Sequence, residues 1–309
     1  MIPLVKLKKD LQFNLELTKV IDVMKGIAAA RFYVLERQLT VFEDYFTATS
    51  QFLALMDLSQ VPHPFVVGRD PAAVIMVTST EGFLGGLNNQ VVSAGLRQGG
   101  PDALYLLIGE RGVPYMQDAR RPFTTFPGIE DHARLELADA VRNHVVRKMA
   151  EGACGRVLIV YPKPLSFSSQ EVTVETLLPC TAWAQSSAGR PAPNTIWESA
   201  PEGVIEYVIA EWMVCRLDLL FALSRLAEMA ARAIHLEGSY QELLRRGKKL
   251  KQEYFRARHE VIDRSMREIF SAQLLSRHQA ESADERERSN QQSAISNQLE
   301  TDESNALTH

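Results

Sequence analysis

The sequence predicts an α/β fold in which two long terminal helices form an antiparallel coiled coil, with an α/β domain inserted between them. Three observations point to it. Between Leu4 and Leu58 there is no proline and one glycine, Gly26, and apolar residues recur in heptads. Residues 71–195 alternate short apolar runs with helical segments. After Pro201 no proline occurs as far as Arg277, and a second helical stripe appears. The expected units are an N-terminal coiled-coil helix over 1–60, an α/β domain over 71–195, a C-terminal coiled-coil helix over 200–277 and a disordered tail over 278–309.

In the first helix, Val20, Ile27, Val34, Val41, Ala48 and Leu55 stand at seven-residue steps, and Met24, Tyr45 and Phe52 fill part of the second seam position. That is the pattern of a helix lying along another helix. Some 55 residues would span roughly 80 Å, and Pro62 and Pro64 of VPHPF end the run. In the middle, AAVIMVTS, ALYLLIG and GRVLIVYP are apolar runs bounded by glycine or proline and read as buried parallel strands. IEDHARLELADAVRNHVVRKMAEG is helical, and QEVTVETLLP alternates as an additional, antiparallel strand would. Strand, helix, strand, helix is the order of a Rossmann-like layer fold. In the second long helix, Met213, Leu217, Leu220, Ala227, Ile234, Leu243, Leu250, Tyr254, Ala257 and Val261 mark the stripe, which Gly238 and Gly247 weaken. One helix precedes the α/β domain and the other follows it, so they return antiparallel. The segment HQAESADERERSNQQSAISNQLETDESNALTH is polar, poor in aromatics and without periodicity, the composition of disorder.

With 46% hydrophobic and 23% charged residues and a net charge of -4, the chain has the make-up of a globular protein with no global attraction to nucleic acid. Cys154, Cys180 and Cys215 lie far apart, without metal-ligand spacing or a disulfide framework. The N-terminus MIPLVKLKKDLQ has no long apolar core of a signal peptide, and no run reaches the roughly 18 apolar residues of a membrane span.

The stretch TEGFLGGLNNQ, Thr80 to Gln90, is a glycine-rich turn after a buried strand and before a helix, a place where phosphates are often held. Its glycines do not follow G-x-G-x-x-G, and no G-K-S/T follows. Gly82, Gly85 and Gly86 therefore read as a tight turn with close helix packing, and no cofactor is expected. Ser79 stands in V-T-S-T-E-G, which is not a nucleophile elbow, and the seven histidines form no H-x-x-x-H pair, so no catalytic site is expected. The basic segment from Arg245 to Arg267 suits a solvated helix face or a nucleic acid.

Four stretches in register resemble the gamma subunit of F-type ATP synthases. S-T-E-G-F-L-G-G-L-N, Ser79 to Asn88, is similar to the family's S-D-R/K-G-L-C-G-G-x-N. T-K-V-I-D-V-M-K-G-I-A-A-A-R, Thr18 to Arg31, is similar to T-K-A-M-x-M-V-A-A-x-K. A-E-M-A-A-R, Ala227 to Arg232, resembles S-E-x-x-A-R, and Y-F-R-A-R-H-E-V-I-D-R-S-M-R-E-I-F-S, Tyr254 to Ser271, resembles the family's last conserved helix. The resemblance runs from about residue 4 to 272. This chain departs from the pattern at Thr80-Glu81, Leu84, His259-Glu260-Val261-Ile262-Asp263 and Ser265, which suggests a divergent branch.

The resemblance implies a non-catalytic rotor shaft. Its partners are the alpha and beta subunits of a catalytic ring, an epsilon subunit and a membrane c-ring, at the cytoplasmic face of a bacterial inner membrane. It further implies that Met24, Lys25, Glu228, Arg232 and Arg258 meet the alpha/beta ring, and that Trp197 and Glu198 lie near the membrane rotor ring. The alternative is a coiled-coil scaffold with an α/β head unrelated to ATPases.

Overall fold

The structure, a computed structural model, describes residues 4–38, 45–46, 48–49, 51, 63–180 and 200–306. It divides into two compact units, one of Thr18–Glu242 and one of Met1–Leu17 with Leu243–His309.

The first unit is built on a five-stranded sheet. In chain order its elements are β1 (Ala72–Val77), α2 (Leu87–Gln98), β2 (Leu104–Ile108), α3 (Val113–Asp118), β3 (Phe123–Phe126), α4 (Arg134–Ala150), β4 (Arg156–Ser166) and β5 (Ser169–Leu178). These lie between helix α1 (Leu4–Gln38) and helix α5 (Pro201–Ala306), each of which contributes a part to this unit. The strand order is β3-β2-β1-β4-β5, with β5 antiparallel to β4 and the other pairs parallel. Every residue of β1 is buried, because both faces of the sheet are covered. Ala73, Ile75 and Val77 face α4 and the start of α5, where Val141, Val145, Ile205, Ile209, Met213, Leu217 and Phe221 lie. Ala72, Val74 and Met76 face the other way, toward Val91 and Val92 of α2 and Met116 of α3. A strand alternates its side chains between faces, so an unbroken apolar run is what a doubly covered central strand requires.

The coiled coil begins in this unit. Phe32 and Leu35 of α1 cluster with Leu226, Met229 and Ala230 of α5, and Phe167 from the β4–β5 turn packs edge-on to Phe32 at 5.1 Å. Lys25, earlier on α1, reaches Glu237, later on α5, so the helices run antiparallel. The seam differs from the sequence expectation by one residue. Val20, Ile27 and Val34 are 52–58% exposed, whereas Ile21, Ala28 and Leu35 are buried. One residue turns the helix by roughly 100°. The valines and isoleucine form the more hydrophobic series, but small Ala28 is the residue that lets the second helix approach.

In the other unit Leu7 and Asn14 continue that heptad and are buried. Leu243, Gly247, Leu250, Tyr254 and Ala257 are half-buried at alternating steps of four and three. A Cβ on Gly247 would stand 2.7 Å from Asn14 Oδ1, so a side chain there would displace that of Asn14. From Arg258 to Ala283 every residue of α5 is exposed, Val261 included, which the sequence stripe had placed on the seam. Helix α5 also runs on through 278–306, where the composition suggested disorder. No glycine or proline follows Gly247, and Ala, Glu, Gln and Arg are strong helix formers, so no residue in the segment breaks the helix. The parts of the expected N-terminal helix at 39–44, 47, 50 and 52–60 lie outside the described residues.

Candidate functional site

The glycine turn leaves the end of β1, the central strand. Thr78 Oγ1 donates to the Ile108 carbonyl at 2.7 Å and ties the turn to β2. The Ser79 amide donates to Asn88 Oδ1 at 3.1 Å, and Asn88 Nδ2 donates to Ser79 Oγ at 2.9 Å, closing the turn onto the first residues of α2. Phe83 and Gly85 have φ of 65° and 59°, a left-handed pair that only glycine adopts freely. Beyond the carboxyl ends of β1 and β4, where open α/β sheets commonly take up ligands, the space is filled. A cavity of about 10 Å³ remains, lined by Ser79, Asn88, Pro162, Ser224 and Glu228 among others. That is the room of about one water, because α5 itself crosses the crevice.

Where α5 crosses, it carries a buried chain of charges. Arg225, Glu228 and Arg232 share one helix face at steps of three and four. Glu228 Oε2 accepts from Arg225 Nη1 at 2.9 Å and its Oε1 accepts from Arg232 Nη2 at 2.5 Å. Arg232 Nη1 then pairs with Glu81 of the turn at 2.9 Å, and its Nε donates to the Gly82 carbonyl at 3.3 Å. Asp131 lies 3.8 Å from Arg225 Nε, an ion-pair distance but no hydrogen bond, and that Nε is buried without one. Burial alone would lower the Arg225 pKa; the carboxylates of Glu228, Asp131 and Glu81 outweigh it and raise the value. Earlier on α5, Asp218 accepts two hydrogen bonds from Arg134 of α4, at 2.6 and 3.3 Å, and Arg216 pairs with Glu175 of β5 at 2.6 Å.

A family profile described as ATP synthase matches residues 5–273. The chain belongs to the ATP synthase gamma family. It is 25% identical over 281 residues to the ATP synthase gamma chain of Ruminococcus albus, covering 86% of this chain and 95% of that one. It is 28% identical over 278 residues to that of Rhodopirellula baltica, covering 81% and 91%. The fold is shared with a chain of the Euglena gracilis mitochondrial ATP synthase rotor in rotational state 1, with a TM-score of 0.63 at 16% identity over 84% of this chain and 98% of that one. A chain of the Tetrahymena thermophila central stalk and c-ring gives a TM-score of 0.56 at 17% identity, over 71% and 99%.

Within this gamma-family chain, the residues singled out from the sequence fall into four groups. Glu228 and Arg232 are buried and engaged with their own chain, so their charges are spent on the glycine turn and on Arg225 rather than presented outward. Lys25 bridges α1 to α5: its ammonium lies 2.9 Å from both Asp22 and Glu237 and 4.4 Å from the Tyr240 ring centroid. Hydrogen bonds to Asp22 and Glu237 raise its pKa. Met24 beside it is half-buried. Arg258 is exposed on α5 and makes no ion pair among the described residues. Trp197 and Glu198 lie outside the described residues. Sequence reasoning missed Arg225, Glu81 and Asp131. The Arg-x-x-Glu-x-x-x-Arg spacing on α5 was the available signal for the first; nothing local pairs Glu81 with a residue so distant in sequence.

Proposed function

We propose that this chain is the central rotor shaft of a membrane F-type ATP synthase, coupling ion-driven rotation to ATP synthesis or hydrolysis at beta-subunit sites. The carrying observation is the antiparallel pairing of α1 with α5, flanking an α/β head, in a chain matched to the family across both helices and the head. The chain performs no chemistry of its own. A two-helix coil lacks threefold symmetry, so within a ring of three alpha and three beta subunits each catalytic site meets a different face. Turning the coil changes which site binds, reacts or releases. Ion flow turns the membrane c-ring, and the head with the adjoining helix bases, together with an epsilon subunit, couples to it. Run in reverse, ATP hydrolysis turns the shaft.

Met24, Lys25 and Arg258 are the residues proposed to face the acidic loops of the ring. Cationic side chains attract such loops more strongly where solvent is restricted. Trp197 and Glu198 are proposed to lie toward the c-ring. The complex belongs at the cytoplasmic face of a bacterial inner membrane. No helix among the described residues is long and apolar enough to cross a membrane; attachment through the partner subunits is part of the proposal.

The test is co-expression with the alpha and beta subunits, purification of the assembly and observation of a probe fixed to the α/β head during ATP hydrolysis. Stepwise rotation of the probe is the expected result. Failure of the three chains to purify together, or hydrolysis with a stationary head, overturns the proposal.

A further inference from the structure

We propose that Glu81, Arg232, Glu228, Arg225 and Asp131 form a clasp that locks the glycine turn of the head to α5 against twist, with Glu81 and Arg232 as its positioning residues. The inference rests on the rotor reading above and assigns the place where torque passes between sheet and helix.

The charge balance on α5 argues for it. Two guanidiniums and one carboxylate, all buried, leave the helix with one uncompensated positive charge. A buried charge without a partner is strongly unfavourable. Neutralisation comes from the head: Glu81 and Asp131 both belong to it, and their side chains remain 59% and 50% exposed. Carboxylates so open to solvent contribute little to core packing. What they contribute is the charge that α5 lacks, delivered from the opposite body of the joint. The two ends differ. Arg232 holds the turn through both the Glu81 carboxylate and the Gly82 carbonyl, whereas Asp131 stands off from Arg225 by 3.8 Å. The tight end meets the turn that leaves β1, and β1 is the middle strand of the five. A twist of α5 therefore loads the centre of the sheet and not an edge. The acid also sits where the turn can use it: Glu81 directly precedes Gly82, so one guanidinium, that of Arg232, reaches both the carboxylate and the next carbonyl.

The experiment uses the assembled complex in sealed vesicles, with ATP hydrolysis and ATP-driven ion uptake measured on the same preparation. Amide exchange is followed over residues 82–87. The variants are Glu81→Gln, the conservative Glu81→Asp, and Glu110→Gln, an exposed head carboxylate, as the control. Glu81→Gln is expected to lower ions moved per ATP by about twofold or more and to speed exchange in the turn. Glu81→Asp is expected to restore most of the ratio, and Glu110→Gln to leave it unchanged. An unchanged ratio in Glu81→Gln overturns the clasp, even if exchange in the turn is faster, since the contact would then be local support only. A parallel fall of hydrolysis and uptake overturns it as well, because that reports lost assembly. If the unaltered chain fails to assemble or to couple, the rotor reading itself falls, an outcome separate from either of these.

Discussion

Glu228 is held between two guanidiniums inside the protein, and Arg232 carries the hydrogen bonds onward from it to Glu81 and the Gly82 carbonyl. Arg232→Met leaves Arg225 and Glu228 as a balanced buried pair but removes those bonds, and is expected to destabilise the chain by about 1–3 kcal/mol, read from denaturant unfolding. Lys25→Met, which breaks a half-exposed bridge, should cost far less. Arg258 and Arg277 offer a second contrast, since both are exposed on α5 and only Arg258 lies in the matched motif. Arg258→Ala is expected to reduce ATP-driven ion pumping more than Arg277→Ala; equal effects would remove Arg258 from the ring contact. The cysteines set a pH dependence. Burial pushes Cys154 up to about 11 and Cys180 up to about 12. An acid whose pKa is raised by folding stays protonated in the native state while the unfolded chain loses its proton above roughly 8.5. Stability should therefore fall as pH rises from there toward those values. Melting curves between pH 7 and 10 should show a shallower decline for the double variant Cys154→Ala, Cys180→Ala.

Helix α5 holds three glycines, and two of them, Gly238 and Gly247, differ in surroundings and test the packing directly. Nothing stands within 4 Å of a Cβ built on Gly238, whereas one on Gly247 would meet Asn14 Oδ1 at 2.7 Å. Gly238→Ala should raise stability by about 0.5–1 kcal/mol. Gly247→Ala should gain less or lose outright, because buried Asn14 must move; thermal unfolding of the two variants decides it. The same elements show what sequence can convey. β1, β2 and β4 were legible because strands buried on both faces read as unbroken apolar runs, and β5 because its exposed face alternates. β3 escaped notice: four residues at the sheet edge, three half-buried and one exposed, leave no period to detect. α3, six residues long, covers less than two helical turns. In α1 the heptad was visible but its phase was not, since Asn14 and Ala28 on the true seam score below the valines beside it. The clasp was legible only on its helical side. Arg232 and Gly82 are 150 residues apart, and no local spacing encodes such a bond.

At the scale of the molecule, the filled crevice predicts that the purified chain binds no ATP at the glycine turn. Calorimetric titration should give no tight site, and one such site would refute the structural reading of the turn. The C-terminal segment is the other test. Residues 278–309 lie beyond the family match, which ends at 273. Deleting them is expected to leave folding and the hydrolysis rate of the assembled complex unchanged. A raised rate would mark the segment as inhibitory, and failure to assemble would place part of the shaft within it. A last consequence follows from the stretch of α5 beyond Ala257. Ile262, Met266, Ile269, Phe270, Leu274 and Leu275 are 46–64% exposed, without apolar cover among the described residues. A solitary helix gains little stability from propensity alone, and bound partners stabilise by mass action. An unassembled copy of this chain is therefore a chaperone and protease substrate by construction, and its cellular half-life should track the supply of whatever encloses that helix. Stoichiometry within the complex would then be enforced after translation, by destruction of the surplus. A pulse-chase measurement with and without co-expressed ring subunits should show the difference.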